Sequence, residues 1–175
     1  VCDGDCDDLS PEASPGASEV CDDGVDNDCN GLADDADPGV DLFTAEVYYP
    51  DADGDGYGAD DLQRACLQPD GYITQGGDCD DEDASASPGQ TEVCDGVDND
   101  CNGLADDEDI GLDASTGATF YADVDGDGYG DPASTVQSCQ QHVGFVADGS
   151  DCDDSEAALN PAAQEICDLV DNDCD

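Results

Sequence analysis

Residues 26–37 read Asp-Asn-Asp-Cys-Asn-Gly-Leu-Ala-Asp-Asp-Ala-Asp, and residues 98–109 read Asp-Asn-Asp-Cys-Asn-Gly-Leu-Ala-Asp-Asp-Glu-Asp. Each string places side-chain oxygens at positions 1, 3, 5, 9 and 12 of a twelve-residue loop. These are Asp26, Asp28, Asn30, Asp34 and Asp37 in the first copy, and Asp98, Asp100, Asn102, Asp106 and Asp109 in the second. Short oxygen-bearing side chains on every second residue converge on one point, as a hard cation requires. Gly31 and Gly103 permit the sharp turn at position 6, and the carbonyls of Leu32 and Leu104 at position 7 are expected to face the ion. Amphipathic helices on either side would make this an EF-hand, but Pro38-Gly39 directly after the first loop rules them out.

Charge and composition agree. The chain has 49 acidic residues against one Arg and no Lys, for a formal net charge of −48. The acids are 41 Asp and 8 Glu, a bias toward the shorter carboxylate that suits tight chelating loops. Phosphate recognition needs Lys or Arg, so nucleic acid and anionic membrane are excluded as direct partners. Leu, Ile, Val and Phe total 27 of 175 residues, too few for an ordinary core. Cations and cystines are therefore expected to supply the order.

Twelve cysteines, an even number, with neither Met nor Trp point to an oxidising, extracellular or cell-surface location. Structural zinc is not indicated: no Cys-x-x-Cys pair occurs and His142 is the only histidine. No apolar run is long enough to span a bilayer.

Self-similarity sets the organisation. Asp-Cys-Asp-Asp begins at Asp5, Asp78 and Asp151, 73 residues apart each time, and Glu19-Val20-Cys21 returns as Glu92-Val93-Cys94 and Glu165-Ile166-Cys167. The expected frame is repeat 1 over 1–77, repeat 2 over 78–150, and repeat 3 over 151–175, stopping inside its loop. A third acidic element reads Asp51-Ala52-Asp53-Gly54-Asp55-Gly56-Tyr57-Gly58 and recurs at residues 123–130. Its expected ligands are Asp51, Asp53, Asp55 and the Tyr57 carbonyl, then Asp123, Asp125, Asp127 and the Tyr129 carbonyl. Position 12 carries no acid there, so a distant residue, water or another chain must close the shell. The Asp-Cys-Asp-Asp segments add Asp5, Asp7, Asp78, Asp80, Asp81, Asp151 and Asp153 as candidate oxygens, with Asp83 or Glu92 to complete the shell. Asp171, Asp173 and Asp175 form half a loop.

Strands are expected to be short, at Ala45–Tyr49, Tyr72–Thr74, Ala118–Ala122 and Val143–Ala147, with one helical turn over Ser155–Asn160. The tyrosines with Phe43, Phe120 and Phe145 would form a thin seam between repeats. Two disulfide registers suit the repeat. Neighbour pairing gives Cys2–Cys6, Cys21–Cys29, Cys66–Cys79, Cys94–Cys101, Cys139–Cys152 and Cys167–Cys174. The shifted register gives Cys6–Cys21, Cys29–Cys66, Cys79–Cys94, Cys101–Cys139 and Cys152–Cys167, with Cys2 and Cys174 left over. The first is preferred because it leaves no odd thiol.

The succession Asp-Cys-Asp-Asp, Pro-Gly-x-x-Glu-Val-Cys-Asp, Val-Asp-Asn-Asp-Cys-Asn-Gly and Asp-x-Asp-Gly-Asp-Gly-Tyr-Gly resembles the MopE-type metal-binding repeat of bacterial secreted and surface proteins. Its acidic loops are also similar to thrombospondin type 3 repeats, which wrap a nearly core-less chain around calcium and cystines. One departure is Asp22-Asp23-Gly24, where the second repeat has only Asp95-Gly96. The resemblance implies an elongated tandem repeat with few secondary structures and short β-strands, stabilised by disulfides and several Ca²⁺ ions. The expected function is a calcium-binding extracellular structural repeat that self-associates as a filament, stalk or surface array. Asp171, Asp173 and Asp175 of one copy would complete a site with Asp3, Asp5 and Asp7 of the next. The alternative is a calcium-dependent adhesin or binding module of a larger surface protein. No nucleophile–base pair stands out, so no enzymatic activity is expected.

Overall fold

The computed structural model describes residues 6–7, 10–21 and 24–175. Asp5, Cys2, Asp3 and the Asp22-Asp23 departure lie outside the described residues. The chain parts into two compact units, Val1–Pro88 and Gly89–Asp175.

Each unit is built round a small antiparallel sheet. In the first, β1 (Glu46–Pro50) is central. It pairs with β3 (Gln63–Ala65), with Val47 opposite Arg64, and with β4 (Tyr72–Ile73), with Tyr49 opposite Ile73. A second sheet joins β2 (Gly58–Ala59) in parallel to β5 (Gly76–Asp78). In the second unit β6 (Ala118–Ala122) lies between β7 (Asp131–Ser138) and β8 (Phe145–Val146). The Asp-x-Asp-x-Asp strings fall between β1 and β2 and between β6 and β7, so each lies in a hairpin connection.

Four strand positions expected from apolar content carry β1, β4, β6 and β8. The returning strands β3 and β7 are polar: Gln-Arg-Ala in one, and Ser, Thr and Gln with Pro132 in the other. Both are edge strands with one face to solvent, which need no apolar alternation. Residues 155–160 form successive turns rather than a helical turn, with Glu156 N–H on the Asp153 carbonyl and Leu159 N–H on the Glu156 carbonyl. The only helices among the described residues are single 3₁₀ turns at Asp34–Ala36, Asp106–Glu108 and Ala114–Thr116.

The apolar core is small, comprising Ala13, Ala45, Tyr48, Ala65, Ala86 and Phe120. Tyr48 and Phe120 are buried on the central strands of their own units, and Phe43 is exposed. The largest fully buried side chains are polar: Glu19, Glu92, Asn27 and Asn99.

The disulfides correct both sequence registers. The bonds are Cys6–Cys29, Cys21–Cys66, Cys94–Cys139 and Cys152–Cys174, and Cys79 and Cys101 are also disulfide-bonded. The preferred pairs Cys2–Cys6, Cys21–Cys29, Cys66–Cys79, Cys94–Cys101, Cys139–Cys152 and Cys167–Cys174 do not form, because backbone hydrogen bonds align segments distant in sequence. Ser14 N–H donates to the Asn27 carbonyl and Asn160 N–H to the Asn172 carbonyl, drawing the Asp-Cys-Asp-Asp segments against the Asp-Asn-Asp-Cys strings. The Asp35 carboxylate accepts from Cys66 and Leu67 N–H at 2.7 and 2.9 Å. Asp107 repeats this on Cys139 and Gln140 at 2.8 Å each, so both hairpins are carried back toward Cys21 and Cys94. The resulting sequence separations of 22 to 45 residues correspond to about 3–4 kcal/mol per bridge in the chain-entropy account. Cys167, the repeat counterpart of Cys21 and Cys94, is free and exposed.

Close packing at two glycines fixes the hairpins. A Cβ at Gly76 would stand 2.6 Å from Tyr49 Cε1, and one at Gly149 would stand 2.2 Å from Tyr121 Cδ1. Each ring therefore lies directly on a glycine two residues before Asp78 or Asp151. Gly76→Val is expected to destabilise the chain by about 1–3 kcal/mol through overpacking, read as a lowered thermal midpoint. The same change at exposed Gln75 should leave the midpoint nearly unchanged.

Candidate metal centres

The twelve-residue loops are shaped by their own side chains. Asp26 accepts from Asn30 and Gly31 N–H at 3.0 and 2.8 Å, and Asp98 accepts from Asn102 and Gly103 N–H at 3.1 and 2.7 Å. Asp28 and Asp100 accept from the same Asn30 and Asn102 N–H groups. The Asn30 amide donates to Asp28 and, at 2.6 Å, to Asp37, and the Asn102 amide donates to Asp109. Positions 1, 3, 5 and 12 are thus drawn together. Cys29 and Cys101 have φ of 61° and 58°, a left-handed conformation that L-residues rarely adopt, at the same loop position.

Position 9 is placed differently. Asp34 and Asp106 open the 3₁₀ turns with φ of 49° and 52°, and Asp106 Oδ1 accepts from Gly96 N–H at 3.0 Å. It is therefore engaged with the loop entry. The Leu32 and Leu104 side chains are exposed.

Sequence reasoning assigned Glu92 to the Asp-Cys-Asp-Asp shell and did not name Glu19, whereas the structure places both at the middle of the twelve-residue loops. Glu19 is 2 % exposed; its two oxygens accept from Asn27 N–H at 2.7 Å and Asp34 N–H at 3.0 Å. Glu92, 1 % exposed, accepts from Asn99 and Asp106 N–H at 2.8 Å each. Asn27 and Asn99 answer by accepting from Val20 and Val93 N–H at 2.9 Å, so the clasp is reciprocal. Glu165 and Asn172 repeat it in the third copy. The signal was available: Glu-Val/Ile-Cys precedes every Asp-Asn-Asp-Cys at nearly constant distance.

One oxygen each from Glu19, Asp28 and Asp37 lies within 4.8 Å of the others, as do those of Glu92, Asp98 and Asp100. Like charges that close, partly buried, repel by roughly 3 kcal/mol per pair at an effective dielectric near 20. A multivalent cation would turn that repulsion into coordination.

The other candidates divide into two groups. Asp51, Asp53 and Asp55 converge within 4.8 Å. Their loop is held by bonds from Gly54 N–H to Asp51 (2.8 Å), Asp55 N–H to Asp53 (3.1 Å) and Tyr57 N–H to Asp55 (2.8 Å). Asp123, Asp125, Asp127 and Tyr129 repeat the arrangement. Asp78 and Asp151 are buried at 6 % and 5 % exposure. Burial first, and then the charges of Asp55, Asp53 and Asp81, push the Asp78 carboxyl above its usual range against the opposing Asp80 N–H bond. Asp151 and Asp125 are raised by the same causes, burial leading and neighbouring aspartates following. Asp80 and Asp153 instead accept from Glu82 and Ser155 N–H in the turns that follow, and Asp7 is exposed. In the third loop Asp173 Oδ1 is buried without a hydrogen-bond partner.

A family model named for copper binding and MopE, described as a "Putative metal-binding motif", matches residues 5–35, 78–107 and 151–175. The chain carries the MopE-type metal-binding motif three times. No curated protein and no solved structure matches the chain. The three matched segments contain the Asp-Cys-Asp-Asp strings, the Glu–Asn clasps and most of the acidic loops, and the hairpins lie outside them. Copper's preferred donors fit poorly with these groups. The candidate centres offer oxygen, ten of the cysteines are oxidised, Met is absent, and the one imidazole, His142, is exposed.

Replacing Glu92 by Gln sets an amide N–H₂ against a backbone N–H in a buried site. In calcium, Glu92→Gln is expected to lower unfolding stability by about 1–3 kcal/mol, measured by denaturant titration. Exposed Glu108→Gln should have little effect.

Proposed function

We propose that the chain is a calcium-binding extracellular structural repeat that is ordered by its ions and self-associates into a filament, stalk or surface array. The observation that carries the reading is the convergence of Asp28 and Asp37, and of Asp98 and Asp100, on the buried clasp glutamates within 4.8 Å. All are hard oxygen donors, and their number and close spacing suit Ca²⁺ better than softer metals. Extracellular calcium modules have dissociation constants near 10⁻⁴ M, so millimolar calcium stabilises by roughly 1.4 kcal/mol per independent site. The disulfides suit an oxidising compartment, and no helix among the described residues is long and apolar enough to cross a membrane. Catalysis is not part of the proposal.

A calcium-dependent adhesin is the second reading. Phe43, 93 % exposed, stands with Leu42 beside Arg64, the chain's only cationic side chain apart from the histidine, and together they line a cavity of about 230 Å³. That is an aromatic surface on which a partner could stack.

Elemental analysis is expected to find several Ca²⁺ per chain, and EDTA should abolish most of the circular-dichroism signal and lower the melting temperature sharply. Little bound calcium and identical melts in EDTA would refute the ion-ordered scaffold. Sedimentation velocity should show polymers at millimolar calcium and monomers after chelation; a monomer in both conditions would favour the adhesin reading over the filament.

A further inference from the structure

We propose that each hairpin loop shares one hard divalent cation of the calcium class with the Asp-Cys-Asp-Asp segment that follows it. Asp51, Asp53, Asp55 and Asp78 hold the ion in the first unit, and Asp123, Asp125, Asp127 and Asp151 hold it in the second. The hairpins lie outside every matched segment of the metal-binding motif, while Asp78 and Asp151 are the first residues of two of them. This site therefore straddles the motif boundary, and it stands whether or not the twelve-residue loops bind calcium.

Asp53, Asp55 and Asp78 each give Oδ1 to a backbone N–H two residues on, from Asp55, Tyr57 and Asp80 respectively. The second oxygen of all three is buried and has no hydrogen-bond partner. Asp125 and Asp151 repeat the pattern, with Oδ1 on Asp127 and Asp153 N–H and Oδ2 buried and unpartnered. A buried carboxylate oxygen without a donor is costly, and several facing one space are costlier still. At these five carboxylates one oxygen shapes the loop and the other is left for an ion, while Asp123 Oδ2 also accepts from Gly128 N–H at 3.2 Å.

The missing acid at position 12 of the hairpin loop is thereby supplied from a distance. Asp81 and Asp154 place it: their carboxylates accept from Ala52 and Val124 N–H at 2.9 and 2.8 Å, pinning each Asp-Cys-Asp-Asp segment onto the hairpin. The Asn160 amide adds a bond to Asp127 Oδ2 at 2.7 Å. These are positioning contacts, and the cation completes what they begin.

The chain supplies its own reporter. It has no Trp, Tyr49 and Tyr121 lie on the glycines two residues before Asp78 and Asp151, and residues 26–37 and 98–109 contain no Tyr. Terbium, an oxygen-seeking calcium probe, titrated into the full-length chain stripped with EDTA should therefore show tyrosine-sensitised emission that calcium displaces. Asp55→Asn with Asp127→Asn keeps the Oδ1 acceptors and removes the charges; it is expected to weaken that emission at least about tenfold and to lower the ion count. Asp28→Asn with Asp100→Asn, in the twelve-residue loops, should leave the emission in place. Unchanged emission and ion count in the hairpin variant would overturn the shared site. Ions lost only in the twelve-residue-loop variant would do the same while supporting the loop reading. Asp78→Asn with Asp151→Asn provides a check independent of emission. By removing two buried charges whose Oδ2 atoms lack a partner it should melt higher than the parent in EDTA and gain less from calcium. An undiminished gain from calcium would overturn the proposal.

Discussion

A carboxylate that accepts two backbone N–H groups does in this chain what a hydrophobic core does elsewhere. Glu19 and Glu92 sit at the centre of their loops, nearly without solvent contact, and each joins the start of the loop to the turn that ends it. Asn27 and Asn99 return the bond to the residue after the glutamate. The backbone groups of a tight loop must find partners when water is excluded, and here side-chain oxygens supply them. With only six buried apolar residues among those described, three of them on strands, directional bonds carry the specificity that packing usually carries.

That arrangement has an electrostatic consequence. The oxygens that order the loops are anionic, so the same bonds that close a loop gather charge at its centre. Acids within 4.8 Å of one another, several of them buried, are tolerable when a counter-charge enters with them. With one arginine in the chain, side chains cannot provide it. Aspartate suits this use better than glutamate because its carboxylate reaches the backbone two residues on, as at Asp53, Asp55 and Asp78, and still presents its second oxygen. The clasps use glutamate, whose longer arm can span the loop.

The cystines hold what the loops cannot. Cys6–Cys29, Cys21–Cys66, Cys94–Cys139 and Cys152–Cys174 each connect the loop region of a unit to a segment more than twenty residues away, either the Asp-Cys-Asp-Asp string or the far end of the hairpin. Asp35 and Asp107, which bond the residues at Cys66 and Cys139, align the hairpin ends for that linkage. Carboxylate–backbone bonds thus set the positions at which the sulfurs can meet.

The sequence alone determined the repeat, the oxygen chemistry and the brevity of the strands. Those are properties of residue type and spacing: Asp at alternate positions, Gly at the turn, and a 73-residue period in Asp-Cys-Asp-Asp. Only the tertiary structure decided which partners meet. Spacing suggested neighbouring cysteines, yet Cys6 reaches Cys29 and Cys21 reaches Cys66, because the Ser14–Asn27 backbone bond and the Asp35 carboxylate on Cys66 N–H align strings far apart in the chain. Asp34 and Asp106 stand at the ninth loop position by spacing, and the structure adds that each opens a 3₁₀ turn with a left-handed backbone and that Asp106 Oδ1 accepts from Gly96 N–H. Glu19 looked like an unremarkable acid before a cysteine, and Asp78 like the start of a new repeat rather than part of the preceding unit. The compact units divide after Pro88, while the metal-binding motif of the second repeat begins at residue 78. A local pattern records what each residue can donate or accept, whereas the partner it finds is fixed by long-range closure of the chain.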